Sequence, residues 1–454
     1  MVHQPWPEKR VRIAVIGSGI SGLVCARLMM RDHQVSVFEA DSRIGGHSNT
    51  VSVPVDDTVH HIDTGFIVYN DKTYPVFSSI LDDLGVRTQP TSMSFSVRCD
   101  RTGLEYNGTS LNGLFAQRRN LVRPSFLKML RDIHRFNQQG PRDCHTVSPE
   151  LTVATYLAER GYSRQFAEQY LLPMGAAIWS CPCRDFAQFP IRFILEFYVH
   201  HGLLSLRDRP VWRIVQGGSR EYVRRLSAPF EHRIQLNCPV SSVHRAMDHV
   251  TVCHRNGQEK FDEIVFACHS DQALRLLSDA DQLETELLSA FPYSSNTAVL
   301  HTDETVLPVR RRAWASWNYH IARQDSVRPA VTYNMNILQH IQSPHTFCVT
   351  LNEQHLIDPG KVLAEFRYSH PQFTTQRTSV QQRHPEVIRH RRTSFCGAYW
   401  RNGFHEDGVL SALAVCRQFG ISGWTADTEA SPSIVRRHNI SPVDSSNATS
   451  PGDA

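Results

Sequence analysis

Six residues near the start of the chain, Gly17-Ser-Gly-Ile-Ser-Gly22, have types and spacing suited to holding a phosphate. Gly17 permits a tight turn. Gly19, with no Cβ, lets a pyrophosphate approach the backbone. Gly22 lets a following helix pack closely on the preceding strand. The N–H groups that open such a helix, at Ile20 and Ser21, present partial positive charge to the ligand. About 20 positions further on, Glu39 can accept hydrogen bonds from ribose hydroxyls and would repel a 2′-phosphate, which disfavours NADP. NAD and FAD both fit this first motif. Arg43-Ile-Gly45-Gly46-His47 then adds a basic group and a second glycine turn, which suits a larger dinucleotide held along its whole diphosphate.

These residues need a strand–turn–helix–strand unit to position them. Residues 11–16 form a short apolar, β-branched run, read as a buried parallel strand. Leu23, Ala26, Leu28 and Met29 recur at helical spacing, and residues 35–38 read as a second strand ending at Glu39. Further on, residues 67–69 and 93–97 read as extended and 74–84 as helical. Residues 124–201 read as mainly helical, with a helix start at Ser148-Pro149 and an apolar-periodic helix over 193–204. A strand and glycine turn return at Arg213-Ile-Val-Gln-Gly-Gly-Ser219. A β-meander is expected from 239–245, 249–254 and 261–267, with its hairpin turn at Asn256-Gly257. More strands are expected at 297–301, 331–336, 347–351 and 363–368. Residues 377–392 are polar and basic and read as a solvated surface. From residue 425 the chain is rich in Ser, Pro, Asn, Asp and Thr, and disorder is expected there.

The residues Gly17, Gly19, Gly22, Glu39, Arg43, Gly45 and Gly46 resemble the FAD-dependent amine oxidase / phytoene desaturase superfamily. Later blocks resemble it in order: His61-Ile-Asp-Thr-Gly65-Phe66, Gln216-Gly-Gly-Ser219, Pro239-Val240-Ser-Ser-Val243 and Gly403-Phe-His-Glu-Asp407-Gly408-Val409-Leu-Ser411. The resemblance covers about residues 10–420. It implies FAD as cofactor, with Gly65 and Phe66 passing the flavin ring and Val240 meeting the adenine. Asp407, Gly408 and Val409 would open a helix beneath the flavin and diphosphate. A narrower match, at Gly45-Gly-His-Ser-Asn-Thr50, Trp212-Arg-Ile-Val-Gln-Gly-Gly-Ser219, Trp314-Ala-Ser-Trp-Asn-Tyr319, Tyr368-Ser-His-Pro371 and Gly403-Phe-His-Glu-Asp-Gly408, resembles predicted NAD/FAD-binding oxidoreductases associated with cyclopropane-fatty-acid synthases. That association implies a lipid-linked substrate. The chain also departs from amine oxidases: His47 stands where they usually have arginine. Tyr399, Trp400 and Phe404 do not form their paired-aromatic arrangement, and no counterpart of their lysine near the flavin is found.

Other constellations read as structural. Cys181-Pro-Cys183 lacks the spacing and second pair of a zinc site. His60-His61, His200-His201 and His405-Glu406 lack metal-motif spacing, so no metal is expected. His405 is the one catalytic candidate, as proton donor or acceptor beside the flavin; holding the turn is the competing role. Trp314, Trp317 and Tyr319 suit core packing or an apolar pocket, and Asn107-Gly-Thr109 suits a turn. Of 454 residues, 48 are Lys or Arg and 44 Asp or Glu, leaving +4, which gives no electrostatic case for nucleic acid. Eleven cysteines, an odd and irregular set, do not form a disulfide framework, and a reducing cytoplasm is the expected location.

The expected fold is α/β with an α+β second domain: a Rossmann-like FAD-binding domain over 1–95, 205–290 and 390–424, interleaved with an amine-oxidase-like substrate domain over 96–204 and 291–389. Helices should come from the first piece of the substrate domain and strands from the second. The expected function is FAD-dependent oxidoreduction of a small-molecule or lipid substrate by desaturation, reduction or double-bond isomerisation. The alternatives are amine oxidation with hydrogen peroxide release, and a non-catalytic nucleotide-binding partner of a lipid-modifying enzyme. Peripheral membrane contact and oligomeric state are left open.

Overall fold

In the computed structural model, which describes residues 10–205, 209–323 and 328–424, Arg12–Ile16 forms strand β1. Four of its five residues are buried, as both-face burial in a parallel sheet requires. The chain turns through Gly17-Ser-Gly19 into helix α1, Ile20–Met29, and returns as β2, Gln34–Phe38. A five-stranded parallel sheet runs in the order Ile234–Gln235, β2, β1, Glu263–Phe266 and Thr393–Phe395. From β1 the chain goes to β2 on one side; the strand on the other side comes some 250 positions later in register, Ile13 pairing with Glu263. Such a reversal opens a crevice beyond the carboxyl ends of the strands. The glycine turn stands there. The expected tail, 425–454, lies outside the described residues.

A second, seven-stranded sheet is mostly antiparallel. Its order is Val362–Pro371, Tyr293–His301, Cys348–Leu351, Val331–Asn334, Trp317–Ile321, Phe95–Cys99 and Leu104–Asn107. The last two strands come from the first half of the chain, so residues 95–107 add strands as well as the expected helices. Trp317–Ile321 and Phe95–Cys99 run parallel, the single exception in this sheet among the described residues. Helices Pro124–Thr146 and Ile191–His200 bury Phe126, Phe136, Phe193 and Phe197 in a core shared with Trp179. A second apolar core lies around α1, helix α2 (Pro75–Asp83) and the C-terminal helix His405–Gln418, including Leu23, Phe77, Leu413 and Cys416.

Several local expectations need correction. The third meander strand is Gly257–Phe261, not 261–267, because the turn at residues 255–256 pairs Gly257 directly with His254. Glu263–Phe266 then leaves the meander for the parallel sheet; the backbone N–H of Asp262 donates to Arg12 O at 2.9 Å as it crosses. Ser148 does not start a helix. Its hydroxyl accepts from Glu150 N within a turn, and Thr152 caps Val153–Glu159 instead, accepting from Thr155 N at 3.2 Å. The apolar helix runs Ile191–His200, ending where Gly202 takes a positive φ. Residues 377–392 are not simply a solvated surface, since Val380, His384 and Val387 are buried. Asn107 does form a turn, accepting from Thr109 N at 2.9 Å.

Candidate functional site

Two of the three glycines in the first motif are required by packing. Gly17 has φ +104°, in the left-handed region, and its N–H donates to Phe38 O at 2.8 Å. A Cβ on Gly22 would stand 2.0 Å from the Gly17 carbonyl oxygen. Gly19 differs: a Cβ there would meet nothing within 4 Å. It faces open space at the start of α1, whose first turn has no acidic residue and no side-chain cap. The N–H groups of Ile20 and Ser21 therefore have no intrahelical acceptor and point outward with the helix dipole behind them. Gly46 closes the other side of this space, since its Cβ would lie 3.2 Å from Gly19 Cα. Gly45 N donates to Ser18 O at 3.1 Å, which locks the second glycine turn onto the first. This is a backbone cradle of the shape and polarity a diphosphate needs.

Glu39 is held at the rim of the cradle. Its Oε2 accepts from Ser18 N at 2.9 Å and Ser18 Oγ at 2.6 Å, and its Oε1 accepts from Asp41 N at 2.9 Å. A carboxylate has about four acceptor positions, so one remains for a ribose hydroxyl. The Glu39 backbone pairs with Gln235 O and with Cys238 N, both at 2.9 Å, which ties the segment leading into Val240 to this rim. Arg43 lies further out, paired with Asp41 at 3.4 Å and partly exposed.

At the opposite end, Gly65 packs so tightly on the second glycine turn that a Cβ would stand 2.1 Å from His47 O. Phe66 N donates to that same oxygen at 2.8 Å. The Phe66 ring stacks on His405 with centroids 3.5 Å apart at 13°. His405 Nε2 lies 3.0 Å from Ser48 Oγ and 2.9 Å from Tyr222 OH, and these two hydroxyls also bond each other. Burial pushes the His405 ring down to about 3, so it is neutral at physiological pH. The geometry gives His405 a holding position that spans three distant segments.

Two helix N-termini meet here. A Cβ on Gly408 would stand 2.9 Å from Ser21 Oγ and 3.0 Å from Ile20 Cγ2, so only glycine lets the C-terminal helix approach the first turn of α1 this closely. Asp407 Oδ2 accepts from Phe404 N at 2.9 Å and so closes its own helix end. Glu406 accepts from Val76 N at 3.1 Å and Phe77 N at 2.9 Å, capping α2. Burial pushes Asp407 up to about 6 and Glu406 up to about 7. Val409 is wholly buried, its side chain in the core around α1 rather than at the crevice.

Other residues at the site went unassigned in the sequence. Asp63 Oδ1 accepts from Thr50 Oγ1 at 2.6 Å and from Ser219 N and Oγ, both at 2.8 Å, and so fixes the Gln216-Gly-Gly-Ser219 turn. Burial outweighs those bonds and pushes its carboxyl up to about 6. Tyr368 and His370 sit two apart on one strand, hence on one face. Their rings lie 5.0 and 5.3 Å from His47. Tyr368 OH is 3.0 Å from both Asn49 Nδ2 and Thr64 Oγ1. Burial and the neighbouring histidines hold His47 well below its ordinary value, and His370 is pushed down to about 4. The pattern Tyr-x-His was the available signal for this pair.

Asp281, Glu284 and His390 bring three metal-type donors together. All three are otherwise engaged. Glu284 takes both terminal nitrogens of Arg245, Asp281 caps the helix Gln282–Ser289, and His390 Nε2 lies 2.6 Å from Asp281. The cluster is a structural junction.

The parallel sheet, the open glycine cradle and the acidic rim define a dinucleotide-binding α/β protein. The profile described as Flavin containing amine oxidoreductase matches residues 20–315, more than half of the chain, and the chain belongs to that family. Its cofactor is accordingly FAD, and the cradle, rim and closely packed second glycine turn fit that group. A Mycobacterium tuberculosis protein described provisionally as the flavin-containing monoamine oxidase AofH is 24% identical over 278 residues, 59% of this chain. The match spans 58% of that relative's length. Protoporphyrinogen oxidase 2 of Arabidopsis thaliana is 42% identical over 91 residues, 19% of this chain and 16% of the relative. Among solved structures, the CLA-producing fatty acid isomerase from P. acnes aligns with TM-score 0.65 at 15% identity, covering 91% of this chain and 100% of that one. Cyclohexylamine oxidase from Brevibacterium oxydans aligns with TM-score 0.63 at 14% identity, with the same coverage. These structures share the fold. Among the described residues, no helix is long and apolar enough to cross a membrane.

Proposed function

We propose that the protein is an FAD-dependent oxidoreductase acting on an apolar, acyl-type substrate by desaturation, reduction or double-bond isomerisation. The observation that carries this reading is the aromatic cluster packed against the start of the C-terminal helix. Phe404, the residue before that helix, stacks on Phe197 at 5.1 Å, and Trp179 lies 4.8 Å from Phe197 and 5.3 Å from Phe193. Such a cluster favours an apolar chain. The fold shared with a fatty acid isomerase supports the reading, and the narrower resemblance to proteins associated with cyclopropane-fatty-acid synthases agrees with it. A substrate of this kind brings the protein to a membrane surface or a lipid carrier without a spanning helix.

Bound FAD supplies hydride transfer; the protein supplies position and electrostatics. Gly19 and the N–H groups of Ile20 and Ser21 hold the diphosphate. Glu39 accepts from the ribose, and the segment at Val240 closes the adenine end. Gly46, Gly65 and Phe66 form the wall at the flavin end, braced by His405, Ser48 and Tyr222.

The second reading, amine oxidation, is favoured by the relatives named for it. Anaerobic mixing of the yellow holoprotein with unsaturated fatty acids and with an amine panel separates the two. Bleaching of the flavin bands or altered double bonds with the lipids is expected. Flavin bleaching by amines, followed by peroxide release when air is admitted, with the lipids inert, would overturn the acyl reading. A flavin that no substrate and no NAD(P)H reduces would point to a non-catalytic partner.

A further inference from the structure

We propose that Arg377 is a recognition site for a carboxylate on the substrate, so that the ligand is a free long-chain acid rather than an ester or a neutral lipid. The inference rests on the acyl-chain reading and adds the head group to it.

Arg377 opens the helix Arg377–Gln382, just beyond the strand Val362–Pro371. Its guanidinium lies over the Phe193 ring at 3.8 Å and over Phe373 at 5.1 Å. Nη2 donates to Asn402 Oδ1 at 2.5 Å and to Arg401 O at 3.3 Å, while Nε is buried with no hydrogen-bond partner. Among the described residues no carboxylate is in ion-pair contact with it. Asp407 and Glu196 act on it from further away. Both are already engaged, Asp407 with Phe404 N and Glu196 with Arg192.

Two other guanidiniums largely withdrawn from solvent are paired with carboxylates. Arg245 meets Glu284 and Asp279, and Arg389 meets Glu263 at 2.9 Å. A half-buried cation with no anion in contact is costly, and burial pushes the guanidinium down to about 10. An incoming carboxylate would supply the missing charge and an acceptor for the unpartnered Nε–H. The aromatic rings packed beside it continue to the start of the C-terminal helix. Phe193 lies 6.5 Å from Phe197, which stacks on Phe404 beside the first turn of the C-terminal helix. A charged head at Arg377 followed by an apolar run is the chemistry of a fatty acid. The dinucleotide phosphates have their own cradle at α1, so the guanidinium is not needed for them.

The test compares binding of oleic acid and its methyl ester to the full holoprotein, above neutral pH and below micelle-forming concentrations. Tryptophan fluorescence and the flavin spectrum are followed together. The wild type should bind the acid at least about 10-fold more tightly than the ester. Arg377→Gln should bind both as the wild type binds the ester, and Arg377→Lys should keep part of the difference. Equal binding of acid and ester by the wild type overturns the assignment without any variant. A preserved difference in Arg377→Gln overturns it too, as does loss of FAD from that variant with the acid–ester difference intact. If neither lipid perturbs either signal, the acyl reading itself fails.

Discussion

The first turn of α1 holds no acidic side chain and no side-chain cap, whereas the first turn of the C-terminal helix holds Glu406 and Asp407, both already engaged by backbone N–H groups. Both helix ends carry partial positive charge and they meet at Gly408. One end is left for an external anion, and the other is neutralised from within. An uncapped helix start behind a glycine with open space reads as a binding end. A capped start reads as a buttress.

The sharpest way to break this contrast is Gly22→Ala. Its methyl would collide with the Gly17 carbonyl, so we expect loss of FAD and destabilisation of about 3 kcal/mol by thermal melting. Retained FAD with unchanged melting would show that the turn is not held as described. Next comes Glu39→Ala, which removes the rim acceptor and strands Ser18 N. FAD affinity should fall by about 10- to 100-fold in an equilibrium titration. Gly19→Ala should be gentler on the protein, because its methyl meets nothing. Apoprotein melting should be unchanged while FAD affinity drops about 10-fold, and an unchanged affinity would empty the cradle of its meaning.

Smaller effects test the buttress. Glu406 is held up at about 7 by burial, against an ordinary value near 4.5. The folded protein thus binds this proton more tightly than the unfolded chain. Stability from that proton is full below about pH 4.5 and is lost as pH rises through about 7. Glu406→Gln cannot ionise, so wild-type stability minus variant stability should fall across that window and level off above it. A flat difference curve in chemical denaturation would contradict the assignment. Smallest of all, His405 is pushed down to about 3, so it should contribute no ionisation to a rate profile near neutrality. An ionisation near neutrality that disappears in His405→Gln would restore it as a proton carrier.

Much of the binding end was legible in the sequence because it is local. The run from β1 through the glycines to β2 and Glu39 is one continuous unit, and each residue type follows from a near neighbour's needs. The buttress was not legible, since its partners are remote in sequence. Ser48 and His405 lie 357 positions apart, and Thr50 and Ser219 lie 169 apart. Asp63 looked like part of a flavin-side segment, and its work of pinning the Gly217-Gly218 turn depends on that distant contact. Arg377 was misread for the opposite reason. Within a basic stretch it counts as solvated, and only Phe193 and Phe373, brought in by tertiary packing, turn it into a half-buried cation.

The parallel sheet's outermost strand, Thr393–Phe395, and the helix that covers α1 are made late in synthesis, although β1 is among the first elements made. A nascent chain that has reached residue 390 has the glycine turn but exposes the Glu263–Phe266 edge and the apolar face of α1 that the C-terminal helix later covers. Until residues 393–418 leave the ribosome, that edge and face are open to aggregation or to a chaperone. Cofactor loading should therefore be a late event on the growing polypeptide.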